Sequence, residues 1–337
     1  MAISKIGGVS LSSLSKLLGV PLSSITKIGG FDKQPSVSYE WVTYNWGGNL
    51  GQFWACFEPN SRYFWCCSPG TTALKKVNYD TFQTVLTYNL PYTAEMVYAG
   101  DSTYIYAKNY SNNVFFRINK STGAVTTFSQ GTPAYFLVDN SLTYIYLDSN
   151  ITDKTIKVIS KDTFSLVTTI NLNDWYGGSF VYAGGYIWVT GGSSPSYLRK
   201  IDPSTNTLVA TYTMPSSSYS STINRRNGYL YILGWGVSGV YKFDIQNSSG
   251  SVEATGPYNW LGGTFWEFGN DTNPILWCSR ANTSASVIDY YDSNSHTFGT
   301  VTTGITSNRV QVQSVNSDGE VLASTDTGYI ILKRKVI

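Results

Sequence analysis

A short phrase that alternates aromatic and apolar residues recurs seven times along the chain. It reads YFWCC at 63, YIYAK at 104, YIYLD at 144, YIWVT at 186, YLYIL at 229, ILWCS at 275 and a degenerate VLAST at 321. Successive starts lie 41, 40, 42, 43, 46 and 46 residues apart. Alternation with a period of two is the mark of a strand, and a fixed spacing marks one supersecondary unit repeated. After each phrase comes a second strand that runs into a polar turn, as in KKVNYDTF, FRINKSTG, KVISKDTF and RKIDPSTN. The Asp, Asn, Ser and Gly at that turn suit a tight reversal between antiparallel strands. A third strand follows, as in FQTVLTYNL or TLVATYTMP, and another short one precedes each phrase, as in AEMVYAGD or SFVYAGG.

Each unit is therefore four antiparallel strands, the content and length of a β-propeller blade. The sequence predicts an all-β, seven-bladed propeller over residues 35–337. Its last unit ends at GYIILKRKVI and lacks an outer strand, which SVSYEWVTYN (36–45) can supply. One N-terminal strand would then close the ring and remove an exposed edge.

Composition agrees with this fold and excludes several functions. Aromatic residues make up 15% of the 337 and charged residues only 13%, and the formal charge of +2 gives no electrostatic footprint for nucleic acid. His296 is the single histidine, so histidine-based catalysis or metal binding would need unusual alternatives. No apolar run is long enough for a transmembrane helix or a secretory signal, so a membrane is not an expected partner. Cys56, Cys66, Cys67 and Cys278 show no paired spacing and read as small buried apolar residues, with a disulfide left open.

Residues 186–213, YIWVTGGSSPSYLRKIDPSTNTLVATYT, resemble the YVTN repeat of lactonase-like and surface-layer propellers, and residues 144–171 resemble it more loosely. The resemblance implies the fold; it does not choose a function. Lactonase-like propellers hold a metal with carboxylates and amides, which directs attention to Glu95 and Glu267. The inner strands also offer Glu58, Asp139, Arg225 and Arg309, with no spacing that marks a catalytic set. The expectation is that the chain is not an enzyme and carries no catalytic residues, metal or cofactor.

Three of the loops that lead into inner strands share a Trp beside paired glycines: YNWGG (44–48), NDWYGG (173–178) and YNWLGG (258–263). Flat aromatics flanked by Asn or Asp suit sugar rings. Trp46, Trp175 and Trp260, with Tyr92 and Tyr219 in sister loops, are thus candidate ligand residues. The alternative is that they plug the gaps between blades.

The N-terminus has another composition. ISKIGGV, LSKLLGV and ITKIGGF begin at 3, 14 and 25, a period of eleven. Their apolar residues recur at three- and four-residue steps, which predicts short amphipathic helices over residues 1–34, each ended by glycine. Helices of two turns need something to pack on. Ile3, Ile6, Leu11, Leu14, Leu17, Leu18, Leu22, Ile25 and Ile28 are the expected docking residues, toward a partner or a sister copy, with the propeller's own underside as the alternative.

These phrases are similar to short N-terminal segments of many tailed-bacteriophage virion proteins. That resemblance implies a virion structural protein, a head fibre, decoration protein or tail-associated adhesin. It would be assembled in the host cytoplasm and released by lysis. Residues 1–34 would bind other virion proteins, and the propeller would meet a host glycan or receptor. A secreted or cell-surface bacterial binding propeller is the alternative, and a lactonase-like enzyme comes after it.

Overall fold

A computed structural model describes residues 5–6, 9–10, 16–17, 20–21, 27–28, 31–32, 39–45, 54–67, 70–109, 113–129, 135–148, 154–172, 178–192, 195–215, 222–234, 239–255, 260–263, 266–267, 273–281, 287–302, 305, 309–325 and 329–335. The described residues are all β, with no helix among them. They divide into two compact units, Met1–Glu40 with Lys335–Ile337, and Trp41–Arg334.

The larger unit is a β-propeller. Its first five sheets have four antiparallel strands each, in sequence order from the inner strand outward. The second sheet shows the pattern: Glu95–Tyr98, Tyr104–Asn109, Val114–Asn119 and Val125–Phe128. Buried aromatic and branched side chains fill the space between neighbouring sheets, and one cluster runs from Trp65 through Tyr106 and Phe115 to Phe136. Burial falls from the two central strands to the outer one, whose Val85, Val167, Val209 and Val252 are exposed.

Two local devices repeat. At the turns before five of the outer strands an Asn or Asp side-chain oxygen accepts the backbone N–H two residues on, and Ser160 stands at that position in the third sheet. Asn78, Asn119, Asp202, Asp244 and Asp292 all do so, at 2.8–2.9 Å. The same turns place Phe82, Gly123, Asn206, Ser248 and His296 at positive φ. The lone histidine is therefore a turn residue. On the strand faces, Lys76, Arg117, Lys200 and Lys242 lie 3.7–4.6 Å from the ring centres of Tyr63, Tyr104, Tyr186 and Tyr229. Each pair is a diagonal neighbour across adjacent strands, close enough for the ammonium or guanidinium to sit over the ring.

The ring closes on itself. Phe57 and Phe64 of the first sheet share a core with Leu322 of the last, and Phe57 N–H donates to Ser314 Oγ at 3.4 Å. The Glu320 carboxylate, wholly buried, accepts from Tyr79 Oη at 2.9 Å, Asn316 Nδ2 at 2.6 Å and Arg62 Nη1 at 3.2 Å. Tyr39–Asn45 is the outermost strand of the last sheet, beside Tyr329–Lys335.

Two expectations are corrected. The sequence predicts seven blades, but the described residues form six sheets of propeller type, the sixth with nine strands. The sixth repeat does not supply its expected inner strand. Trp260–Gly263 takes that place beside Ile275–Ala281, while Trp266–Glu267 pairs in parallel with Arg309–Val315. Ile275–Ala281 also pairs with Arg309–Val315 through Arg280 and Ala281, which fuses the last two repeats.

The second correction concerns the N-terminal helices. The described residues there form three two-stranded hairpins: Lys5–Ile6 with Val9–Ser10, Lys16–Leu17 with Val20–Pro21, and Lys27–Ile28 with Phe31–Asp32. Each register leaves two residues between the inner pair, and the sequence there is Gly-Gly, Leu-Gly and Gly-Gly. Two-residue hairpin loops need positive φ, and glycine supplies it without steric cost. Of the expected docking residues, Ile6, Leu17 and Ile28 occupy matching strand positions; Ile3, Leu11, Leu14, Leu18, Leu22 and Ile25 lie outside the described residues.

Candidate functional site

A propeller strand order gives the molecule two ends. One carries the connections into each inner strand and those between the second and third strands; the other carries the tight turns. The charged residues expected on the inner strands divide between them. Glu95 and Arg309 begin their strands at the loop end, while Glu58, Asp139 and Arg225 sit toward the turn end. They do not converge, so the inner strands build no single charged site.

The turn-end charges stitch sheets together. Glu58 takes Lys76 Nζ at 2.6 Å and Lys120 Nζ of the next sheet at 3.2 Å. Burial alone would raise its carboxyl, but the two lysines outweigh that and hold it below its ordinary value. Arg225 Nη1 donates to Tyr182 O at 2.7 Å and Arg226 Nη2 to Ile275 O at 3.3 Å, across sheet boundaries. A concavity of about 280 Å³ beside them is lined by Gly184, Asn227 and Asp244 as well. All four cysteines are free and buried. Burial pushes the Cys56 thiol up to about 12 and raises the others too, which keeps them unreactive.

At the loop end a cluster gathers that the sequence reading passed over. Lys108 is next to last in the second strand of the second sheet and Asp148 ends that of the third, and they are only 7% and 1% exposed. Glu95 is the cross-strand partner of Lys108, and Tyr135 N–H donates to Asp148 Oδ1 at 2.7 Å. Lys108 Nζ lies 5.8 Å from the centre of the Tyr135 ring. Burial lowers the proton affinity of the Lys108 amine, against the opposing pull of the Asp148 and Glu95 charges. Asn109 Nδ2, next along the strand, donates to Thr93 O at 2.7 Å and Thr93 Oγ1 at 2.6 Å. That pins the connection that carries Tyr92.

The repeat itself holds the signal that could have found this cluster. The fifth residue of the aromatic phrase is Cys67, Lys108, Asp148, Thr190, Leu233, Ser279 and Thr325 in turn. The four residues before it stay aromatic or apolar in most copies, so chemistry varies where the strand reaches the loop end.

The aromatic candidates are placed unevenly. Trp46, Trp175 and Tyr219 lie outside the described residues. Trp260 opens a strand and pairs with Arg280. Tyr92 is half-buried and packs against the core of the first sheets, as a plug between blades would. Among the described residues no group of three His, Cys, Asp or Glu gathers that could hold a metal ion. No described helix is long and apolar enough to cross a membrane.

No family model and no curated protein sequence matches the chain. Its fold is similar to that of selenomethionine-substituted virginiamycin B lyase from Staphylococcus aureus, with a TM-score of 0.70 and 12% identity over 89% of this chain and 100% of that one. It is equally similar to a streptogramin B lyase, with a TM-score of 0.70 and 12% identity over 88% of this chain and 98% of that one. Both are propellers that act as enzymes. The expectation of a non-enzyme drew on a single histidine and scattered acids. It is overturned by finding the same architecture in two lyases.

Proposed function

We propose that this chain is a tailed-phage virion protein whose N-terminal hairpin array docks it on the capsid or tail, and whose propeller engages host-surface glycan through its loop end. The observation that carries the reading is the array. Three hairpins of two-residue strands recur every eleven residues, and hairpins that short are not stable in water on their own. Their backbone groups and apolar strand residues find partners in another virion protein or in sister copies. The phage-like phrases of residues 3–31 support the same assignment. On this reading the nine-stranded sheet carries the sixth and seventh blades of a seven-bladed ring.

Deleting residues 1–34 should leave a soluble propeller with an unchanged melting temperature that no longer co-purifies with particles. Mass spectrometry of purified virions checks this directly. A truncated chain that still enters particles would move docking to the propeller.

A second reading makes the loop end catalytic. It is favoured by the gathering of Glu95, Lys108 and Asp148 at that end, where burial lowers the proton affinity of the Lys108 amine against the pull of the two carboxylates. If glycan is cleaved, wild-type protein should release new chain ends from host polysaccharide, and Lys108→Leu should abolish that release while keeping the fold.

A further inference from the structure

We propose that the hairpins of residues 5–32 pair with the same hairpins of sister copies, so that the chain assembles as an oligomer joined through its N-terminus. The inference rests on the docking array of the reading above and names its first partner; a particle then receives a pre-formed oligomer.

The backbone is the first support. Among the described residues the three hairpins are three separate two-stranded sheets and do not pair with one another. A two-stranded sheet has an open edge on each side, and strands of two residues form too few bonds to hold alone. Each sheet is completed by further strands from elsewhere.

Repetition identifies where those strands come from. The register is the same in all three hairpins. A lysine opens the first strand, and an apolar pair flanks the two-residue loop: Ile6 with Val9, Leu17 with Val20 and Ile28 with Phe31. The linking residues repeat as well, LSSLS at 11–15 and LSSIT at 22–26. A partner that meets all three hairpins at once must offer three equivalent edges at the same spacing. A second copy does so by construction, and symmetry brings such identical patches together. The next matching register lies a whole repeat away, so a slip forfeits at least one hairpin.

Charge sets the behaviour of the assembly. Lys5, Lys16 and Lys27 are the only charged side chains of residues 1–31. A lysine in every hairpin discourages open-ended stacking of edges, so the product is a closed oligomer rather than a fibre. Because sister copies carry like charge, screening by salt favours their association. Docking on an acidic surface would respond in the opposite sense.

Sedimentation of the full-length protein tests this. Wild type should run as a defined multiple of the chain mass, and added salt should shift its dissociation to lower protein concentration. Ile6→Ser, Leu17→Ser and Ile28→Ser combined should leave a monomer with the melting temperature kept. A second variant probes the matching: Gly-Ser-Gly-Ser inserted between Ser23 and Ser24 puts the third hairpin out of step with wild type but in step with its own copies. It should self-associate, yet bind wild type about tenfold more weakly, since one of three contacts is lost. The insertion leaves each hairpin sequence intact, so it decides the matter if the triple variant is insoluble. Wild type that stays monomeric at every concentration overturns self-pairing, while the presence of the chain in purified virions is read separately and can still stand. An oligomer that survives the triple substitution, free mixing of inserted and wild-type chains, or dissociation by salt each overturns the assignment.

Discussion

Glu320→Ala should destabilise the propeller by about 3 kcal/mol, toward the lower end of the range for removing one partner of a buried ion pair. Glu320 is wholly buried and collects donors from Tyr79, Asn316 and Arg62. Truncation removes the closest acceptor of the Tyr79 hydroxyl, which keeps the longer bond to Ser61 O at 3.3 Å, and the carboxylate that Asn316 Nδ2 meets at 2.6 Å. Arg62 softens the loss, because its side chain is 30% exposed and it keeps Asp80, with Nε to Oδ2 at 2.9 Å. Burial and the Glu320 charge hold the Tyr79 phenol well above its ordinary value, so it stays a donor across the accessible pH range. Glu320→Gln retains part of the network and should cost about 1–2 kcal/mol. Denaturant midpoints measure both. The network joins the first sheet to the last, so Glu320→Ala should also reduce the slope of the transition if ring opening precedes global unfolding. An unchanged midpoint would show that the sheets are held by apolar contact alone.

Trp188→Ala should cost about 3–5 kcal/mol, or a fall in melting temperature of roughly 10 °C. The ring is wholly buried, packs against Phe243 at 5.4 Å and Tyr212 at 6.1 Å, and donates from Nε1 to Ala183 O at 3.1 Å. Lys200 lies over its face at 5.4 Å. No small side chain can fill that volume, and the neighbouring strands are too well paired to collapse into it. Trp188→Phe keeps most of the packing and loses the hydrogen bond, so its cost should be about a third of the alanine value. Equal losses for the two would mean that the indole N–H, rather than the ring, holds the site.

The blades were legible because their physics is local and repeated. A strand written YIYLD or YIWVT shows its two faces directly, and an Asn or Asp at each turn announces the reversal. The N-terminal phrases were misread because KIGG and KLLG satisfy a three- and four-residue apolar spacing. The stronger cue was two residues, mostly glycine, between the pairs Ile6–Val9, Leu17–Val20 and Ile28–Phe31. The fusion of the last sheets was not legible, since it depends on which of two neighbouring Trp segments pairs with Ile275–Ala281. Lys108 and Asp148 were in plain view at the ends of YIYAK and YIYLD. A strand pattern read for its period gives no weight to its final residue, and only sheet-to-sheet packing brings those two ends together.

The closing strand has a consequence for how the molecule is made. Tyr39–Asn45 is among the first propeller segments to be synthesised, yet its partner Tyr329–Lys335 is the last. Between them lies the whole ring, so the pair closes a very long loop and cannot form until Tyr329–Lys335 has been made. The interior sheets can assemble one after another as they emerge. The edge that Tyr39–Asn45 will cover stays open until the end, and the same delay leaves that strand available to another chain.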